Sequence, residues 1–315
     1  YVQMNKYIAT GHYYIPNVKH EIDKIIHYPL YLDIDLTNAF HQIPLEFQTS
    51  EKLSVQTPWG QFRPKFLPEG VGPGSGVLQE YVRKMFAEFE WALVIFDNVL
   101  ILANDVTDAY QKFEIFLDKC ILHNVKLKFS KSWIGFTEVN FFGYKCQHKF
   151  FELTSDRKDA LMKISFPFDG NRTKKIRTAL GCGVFFSPFV PNYSTKIKHL
   201  TDLTKATFNW NDESTWAHDY RKEFQEALRD SISLFYPDYS LQFIVQTDAS
   251  EYGVAGILIQ IFVQEGEPNQ EQIIATCSQK FSDQATRWGV IEQEAYGIYF
   301  SVHKFQFYLR GSHFL

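Results

Sequence analysis

Two pairs of acids, Asp35 with Asp97 and Asp248 with Glu294, stand where the apolar pattern of the chain ends or turns. Moving a phosphoryl group onto or off a nucleic acid draws on two divalent cations about 4 Å apart, one activating the attacking oxygen and the other stabilising the leaving one. Clustered carboxylates hold such ions. Asp35 closes the mostly apolar run 31–34, and Asp97 stands between the apolar runs 93–96 and 99–102. Adjacent antiparallel strands would carry both acids to one place despite their separation in sequence. Taken singly, each signal has a bland reading. Asp97-Asn98 between apolar runs serves equally as an ordinary turn, and Asp33 beside Asp35 as a solvated edge. Asp248 ends a strand pattern and Glu294 lies in a helical one, where an isolated carboxylate is ordinarily just a surface charge.

The elements that must position these acids show as periodicity. Gly70, Gly72, Pro73, Gly74 and Gly76 form a flexible lead-in to a helix over 74–89, whose Val77, Leu78, Tyr81, Val82, Met85, Phe86 and Phe89 recur at helical spacing. The two runs around Asp97-Asn98 predict a hairpin with that pair as its turn. A second helix aligns Val106, Ala109, Tyr110, Phe113, Phe116, Leu117, Cys120 and Ile121 on one face, and short strands are predicted at 126–129 and 139–144. Asp, Lys and Pro accumulate across 153–167, which marks a domain boundary. Helices over 173–193 and 213–234 form a connecting module that ends at Pro237-Asp238-Tyr239. Strands at 243–247, 253–260 and 273–278 and a long helix over 283–309 then make a mixed α/β module.

The chain has 315 residues, 45% apolar and 17% aromatic, enough to build cores, which argues against disorder. Its length predicts about two domains. With 32 Lys and Arg against 36 Asp and Glu the net charge is −4, which excludes a clamp that binds nucleic acid by overall charge alone. Binding would need Arg83, Lys84, Lys126, Lys128, Lys131, Arg172, Lys174, Lys175, Arg177, Lys196 and Lys198 gathered along one track. No charge-free apolar stretch approaches the roughly 20 residues that cross a bilayer, and no signal-peptide pattern opens the chain, so a soluble protein is predicted. The four cysteines, Cys120, Cys146, Cys182 and Cys277, are widely spaced with no CxxC, which fits reduced intracellular thiols and no structural zinc. No nucleophile–base pair, histidine cluster or GxxxxGKT phosphate loop offers a different chemistry. The chain opens at Tyr1 and closes at Leu315 just after a helical pattern, which reads as part of something longer.

Taken in order, these residues resemble the reverse transcriptase and RNase H region of a gypsy-type LTR retrotransposon Pol polyprotein, over essentially the whole chain. Leu32-Asp33-Ile34-Asp35-Leu36-Thr37-Asn38-Ala39-Phe40-His41-Gln42-Ile43 resembles the LDLxxxYHQI segment. That implies Asp35 as the first metal-binding aspartate, Leu36 in the nucleotide site, Phe40 as the aromatic steric gate under the sugar, and Asp33 as a neighbour and not a ligand. Leu67-Pro68-Glu69-Gly70 followed by Gln79 resembles LPxG…Q, whose glycine loop and helix pack on the incoming nucleotide and the templating base. Ile95-Phe96-Asp97-Asn98 stands at the YxDD box, with Asp97 as a metal ligand and Asn98 in place of the second aspartate. An amide offers a cation only its carbonyl oxygen, so the site loses one negative charge. Lys126-Leu127-Lys128 to Lys131 resembles the segment that brings a lysine, here Lys131, near the nucleotide phosphates, and Phe141-Phe142-Gly143-Tyr144 the primer-gripping hairpin. Asn5 stands where a phosphate-binding arginine is expected, with Lys6 as its substitute. Leu180-Gly181 through Phe189-Val190-Pro191-Asn192-Tyr193-Ser194 resembles the LGxxxYYRxFIPNFS connection, with Lys196 and Lys198 beyond it as backbone-phosphate contacts. Thr247-Asp248-Ala249-Ser250 with Gly253 and Gly256 resembles the opening of a retroelement RNase H domain, and Glu292-Gln293-Glu294-Ala295 its EKEL segment, with Glu294 as the ligand and a third acid expected after Leu315.

The resemblance implies an α+β fold. A right-hand polymerase, part of the fingers with the palm, would occupy 1–152, thumb and connection helices 153–240, and an RNase H-like α/β domain 241–315. It implies an RNA-directed DNA polymerase, a nucleotidyltransferase, with a ribonuclease H endonuclease module. Its catalytic residues would be Asp35, Asp97, Asn98, Asp248 and Glu294, with Mg²⁺, or Mn²⁺ in its place, on Asp35, Asp97, Asp248 and Glu294. The implied partners are RNA/DNA hybrid, duplex DNA, deoxynucleoside triphosphates and the rest of the polyprotein, with no membrane, inside the cell in a cytoplasmic virus-like particle. Asn98, Asn5 and the acidic balance motivate an alternative: a weakly or non-catalytic polymerase-like module kept for nucleic-acid binding or particle assembly.

Overall fold

The structure, a computed structural model, describes residues 1–9, 11, 13, 17–162, 172–205, 208, 225–227, 229, 231–263 and 269–315. The chain divides into two compact units, Tyr1–Val139 with Cys146–His148, and Asn140–Lys145 with Lys149–Leu315. In the first, α1 (Val18–Ile25) leads to β1 (Leu30–Asp35), followed by α2 (Phe47–Lys52) and a small hairpin of β2 (Val55–Thr57) and β3 (Gly60–Phe62). Then come α3 (Gly74–Phe86), β4 (Ala92–Ile95), β5 (Asn98–Ala103), α4 (Val106–Leu122) and β6 (Trp133–Phe136). The sheet order is β4-β5-β1-β6, antiparallel throughout.

Alternation along β1 decides what this sheet can do. Leu32 and Ile34, with Val99 and Ile101 opposite them, form one core with Leu78, Val82 and Phe86 of α3 and Phe116 of α4. Each such side chain contributes about 1.5–3 kcal/mol by leaving water. Period two then turns Asp33 and Asp35 to the other face. Phe86 and Phe116 stack with ring centroids 5.0 Å apart and join the two helices. Asp105 caps α4, accepting the Asp108 N–H at 2.9 Å.

Local patterns and structure part company at several places. The hairpin turn is Phe96-Asp97, not Asp97-Asn98: Asn98 already pairs with Ile95, and Phe96 takes φ +53°. A positive φ in a two-residue turn suits the twist of the flanking strands. Residues 126–129 make no strand. Leu127 forms an isolated bridge to Leu36, and the chain enters a 3-10 turn at Phe129–Lys131. The helix predicted over 74–89 ends at Phe86.

In the second unit β7 (Glu138–Phe141), at whose hairpin with β8 (Tyr144–Gln147) the division falls, belongs to a sheet with β9 (Phe150–Leu153) and β10 (Leu234–Phe235) in the order β10-β9-β8-β7. Helices α5 (Ser155–Met162), α6 (Arg172–Val184), α7 (Tyr193–Lys196) and α8 (Lys198–Asp202) follow. The sheet of β11 (Ile244–Ser250), β12 (Gly253–Phe262) and β13 (Gln270–Lys280) is antiparallel in chain order, with the helix Val290–Leu309 packed on it. Gly256 permits that approach, since a Cβ there would overlap Ser301 on the helix. The long helix expected over 283–309 is broken: a 3-10 turn covers Ala285–Arg287, and the regular helix starts after Gly289, whose N–H donates to Glu292 Oε2 at 2.9 Å.

The connecting segment packs on β13. Ser194 N–H donates to Ser278 Oγ at 3.0 Å, Thr276 Oγ1 donates to Pro188 O at 2.8 Å, and Asp202 pairs with Lys205 and Lys280. These bonds place connection and C-terminal sheet in one unit. Much of the helix predicted over 213–234 and part of the boundary at 153–167 lie outside the described residues, and Leu234 is in β10. No described helix is long and apolar enough to cross a membrane.

Candidate active site

On the sheet face opposite the α3–α4 core, Asn98 of β5 stands directly across from Asp35. Asp33 is therefore its diagonal neighbour, and Asn98 Nδ2 donates to Asp33 Oδ1 at 3.2 Å. Asp97 is exposed in the turn, and its carbonyl accepts the Leu36 N–H at 2.9 Å. Burial raises the Asp33 carboxyl above its ordinary pKa, the Asn98 hydrogen bond pulls it down, and the charges of Asp35 and Asp97 push it up again. Three carboxylates and one amide thus share a corner of the fold. Among the described residues no group of three or more His, Cys, Asp or Glu closes into a ready-made metal cage. The donors in this corner are nevertheless oxygens, which suit hard divalent cations.

The backbone beneath these acids is held by groups outside the corner. Asp35 N–H donates to Ser132 Oγ at 3.1 Å, and the Ser132 hydroxyl donates to Lys128 O at 3.1 Å. Lys128 N–H donates to Asp35 O at 2.8 Å, and Thr37 N–H to Lys126 O at 2.9 Å. Gln42 grips the same segment through Lys126, donating to its carbonyl at 2.9 Å and accepting its N–H at 2.7 Å. Buried Gln79 on α3 secures the hairpin: its Nε2 donates to Val94 O at 2.9 Å, and its Oε1 accepts the Phe96 N–H at 2.6 Å. Both ends of one amide therefore brace the turn that carries Asp97. Gln79→Ala strands a buried carbonyl and a half-buried N–H and is expected to cost about 2–3 kcal/mol, lowering the melting temperature by roughly 5–10 °C. An unchanged thermal transition would remove Gln79 from this role.

Gly70, at φ +84°, adopts the left-handed conformation that favours glycine. Asn5 straps the loop around it, donating from Nδ2 to Gly70 O at 2.9 Å and accepting the Gly72 N–H on Oδ1 at 2.8 Å. Half-buried Phe40 lies at the start of α3, where a Cβ on Gly74 would stand 3.6 Å from its Cε1. The Leu36 side chain is in the core, so its backbone is what borders the acids. Lys131 is exposed at the end of its 3-10 turn. Arg83 and Lys84, two members of the expected basic track, both pair with Glu80.

In the second unit Phe142 and Gly143 form a two-residue turn with φ +49° and +85°. The Phe142 ring is exposed, while Tyr144 packs among Phe151, Phe185 and Phe189 at centroid distances of 6.0, 4.8 and 5.6 Å. Lys196 ends α7, and the Lys198 ammonium lies over the Tyr252 ring. Asp248 and Glu294 are both exposed, on elements that pack together. Gly256, whose partner is Thr247, faces Ser301, and Ala249 and Val254 face Gly297. The pleat thus gives Thr247 and Ala249 to the helix side of β11 and Asp248 to the other. The two elements meet without bringing the two carboxyl groups onto one face of the sheet.

Residues 1–146 match the family described as reverse transcriptase (RNA-dependent DNA polymerase), and residues 210–315 match the RNase H-like domain found in reverse transcriptase. The chain joins a reverse transcriptase domain to an RNase H-like domain. It is similar to the retrovirus-related Pol polyprotein from transposon 412 of Drosophila melanogaster, 27% identical over 320 residues that cover 100% of this chain and 25% of that protein. The transposon Tf2-7 polyprotein of Schizosaccharomyces pombe is 23% identical over 314 residues, covering 99% of this chain and 23% of that protein. The chain thus spans about a quarter of the length of these curated relatives. Among solved structures, a foamy viral protease-reverse transcriptase in complex with double-stranded DNA superposes with a TM-score of 0.80 at 20% identity, over 99% of this chain and 53% of that one. A second such complex gives 0.79 at 20% identity, over 100% and 64%. The resemblance to retrotransposon polyproteins and the expected polymerase fold followed by an RNase H-like domain are both borne out.

In the reverse transcriptase domain the structure gathers Asp35, Asp97 and Asn98 as the motifs ask, sets Asp33, expected only as a neighbour, against Asn98, and gives Asn5, expected in the place of a phosphate-binding arginine, to the Gly70 loop. Asp33 left a signal in the sequence, since residues two apart on a strand share a face. The strap that Asn5 makes to the Gly70 loop left none, because those contacts lie 65 and 67 residues away.

Proposed function

We propose that the protein is an RNA-directed DNA polymerase with a linked ribonuclease H module, working within a gypsy-type LTR retrotransposon polyprotein in cytoplasmic virus-like particles. The corner formed by Asp35, Asp97 and Asn98 in the reverse transcriptase domain carries this reading. The foamy viral relatives are described in complex with double-stranded DNA and, at a TM-score of 0.64 over 94% of this chain, with RNA/DNA hybrid, which supports the same two ligands here. The reaction joins the primer 3′ hydroxyl to the α-phosphate of a deoxynucleoside triphosphate, with pyrophosphate leaving.

Asp35 and Asp97 would hold Mg²⁺, or Mn²⁺ in its place, with the Asn98 carbonyl oxygen beside them. Bound there, the cation neutralises charge at the reacting phosphate. Ser132 and Lys128 fix the Asp35 backbone, and Gln79 fixes the turn of Asp97. The loop at Gly70 and the exposed Lys131 border the nucleotide, and Phe142, Gly143, Tyr144, Lys196 and Lys198 serve primer and template. Fingers and palm over 1–152, thumb and connection over 153–240 and RNase H-like domain over 241–315 remain the proposed division of labour.

Primer extension on RNA and on DNA templates, with Mg²⁺ or Mn²⁺, tests the reading. Extension on both supports it. No extension with either metal overturns it in favour of a binding or assembly module, the alternative that Asn98 specifically motivates. Phe40, braced at the start of α3, gates the sugar in this reading. Phe40→Ala is expected to raise ribonucleotide incorporation at least about tenfold, since a lost steric clash is worth a kcal/mol or more. Unaltered sugar discrimination would exclude Phe40 as the gate.

A further inference from the structure

We propose that Asp33 is a positioning residue of the polymerase site: it sets the orientation of Asn98. The inference rests on the polymerase reading above and deepens it. The chain places an amide at a position that faces Asp35 across the sheet, and one diagonal step from it, on the same face, it places an additional carboxylate. A carboxylate oxygen accepts hydrogen bonds, so toward Asp33 Oδ1 the Asn98 amide presents its NH₂ group. The observed Nδ2 to Oδ1 bond of 3.2 Å is that arrangement. Asn98 Oδ1, the atom through which an amide can serve a hard cation, is thereby left for another partner. A leucine or serine at position 33 would leave the amide free to turn either way. Asp33 thus acts through Asn98, without itself touching substrate.

Calorimetric titration of the protein with Mg²⁺ and with Mn²⁺ alone, without nucleic acid, separates this inference from the reading beneath it. Asp35→Asn should lose cation binding at the corner. Asp33→Asn should weaken it about ten- to hundredfold, the range for residues that orient a ligand, with the cation-free melting temperature unchanged or higher. The exchange variant Asp33→Asn with Asn98→Asp restores an amide–carboxylate pair. It should recover the affinity of the natural protein to within a few-fold. If Asp35→Asn loses the cation and Asp33→Asn binds it as the natural protein does, Asp33 has no positioning role and the polymerase reading stands. If the exchange variant stays as weak as Asp33→Asn, orientation is not what Asp33 supplies. If Asp35→Asn binds the cation unchanged, the corner is not the cation site, and both readings fall.

Discussion

Asp35→Asn is expected to reduce primer extension on RNA and DNA templates by about a hundred- to a thousandfold, the range for removing one preorganised charge-stabilising group, while the protein melts at the same temperature or higher. The two halves of this expectation have different physical sources. The backbone of Asp35 is secured by Ser132 and Lys128, through contacts that do not involve its carboxylate. The carboxylate itself adds charge to a corner where burial and like charges already disfavour the ionised form of Asp33. An amide of the same shape relieves that repulsion and takes away a cation ligand. Activity and stability should therefore separate, with extension measured by gel and unfolding by calorimetry on one preparation. A variant that extends primers like the natural protein would remove Asp35 from the chemistry. One that loses activity only because it unfolds would show that its carboxylate serves the fold.

How much of this corner was legible in the sequence depended on the range of the interactions that build it. β1, α3 and α4 follow from apolar spacing, because each buries one face against one core. The start of β5 does not. Phe96-Asp97 and Asp97-Asn98 are equally plausible turns locally, and the choice between them accompanies a hydrogen bond from the Phe96 N–H to Gln79, on a helix that no local pattern links to the hairpin. Lys126-Leu127-Lys128-Phe129 alternates like a strand, yet its backbone is taken up by Asp35, Thr37 and Gln42 over a single short stretch before the chain turns. Asp33 and Asp35 share a face by simple alternation, but that Asp33 meets Asn98 requires the register of β1 with β5. For Asp248 and Glu294 the sequence placed the acids on the right elements, and only the pleat of β11 shows on which side Asp248 lies.

Asn98→Asp is expected to have opposite effects with and without a divalent cation, because the residue faces both Asp35 and Asp33. Without cation the variant loses the hydrogen bond to Asp33 and sets a further carboxylate against it. A hydrogen bond to a charged partner is worth about 1.5–3 kcal/mol, which corresponds to a melting temperature roughly 4–10 °C lower. Asp33 already has a raised pKa, and a carboxylate next to it raises it further, so the folded state takes up protons more readily than the unfolded chain. By linkage the deficit is greatest where both carboxylates are ionised and shrinks as pH falls through the raised folded values, so it should be larger at pH 8 than at pH 5. With Mg²⁺ the sign reverses. The added ligand binds the cation more tightly, and binding to the folded state alone stabilises it by RT ln(1 + [L]/Kd). Melting curves at rising Mg²⁺ should therefore bring the variant up to the natural protein and past it, and primer extension at limiting Mg²⁺ should rise several-fold. Equal melting of the two proteins at every Mg²⁺ concentration would mean that residue 98 makes no contact with the cation and that the amide is no handicap. A variant destabilised alike with and without Mg²⁺ would mean that Asn98 serves only as the partner of Asp33, and that the cation is carried by Asp35 and Asp97 alone.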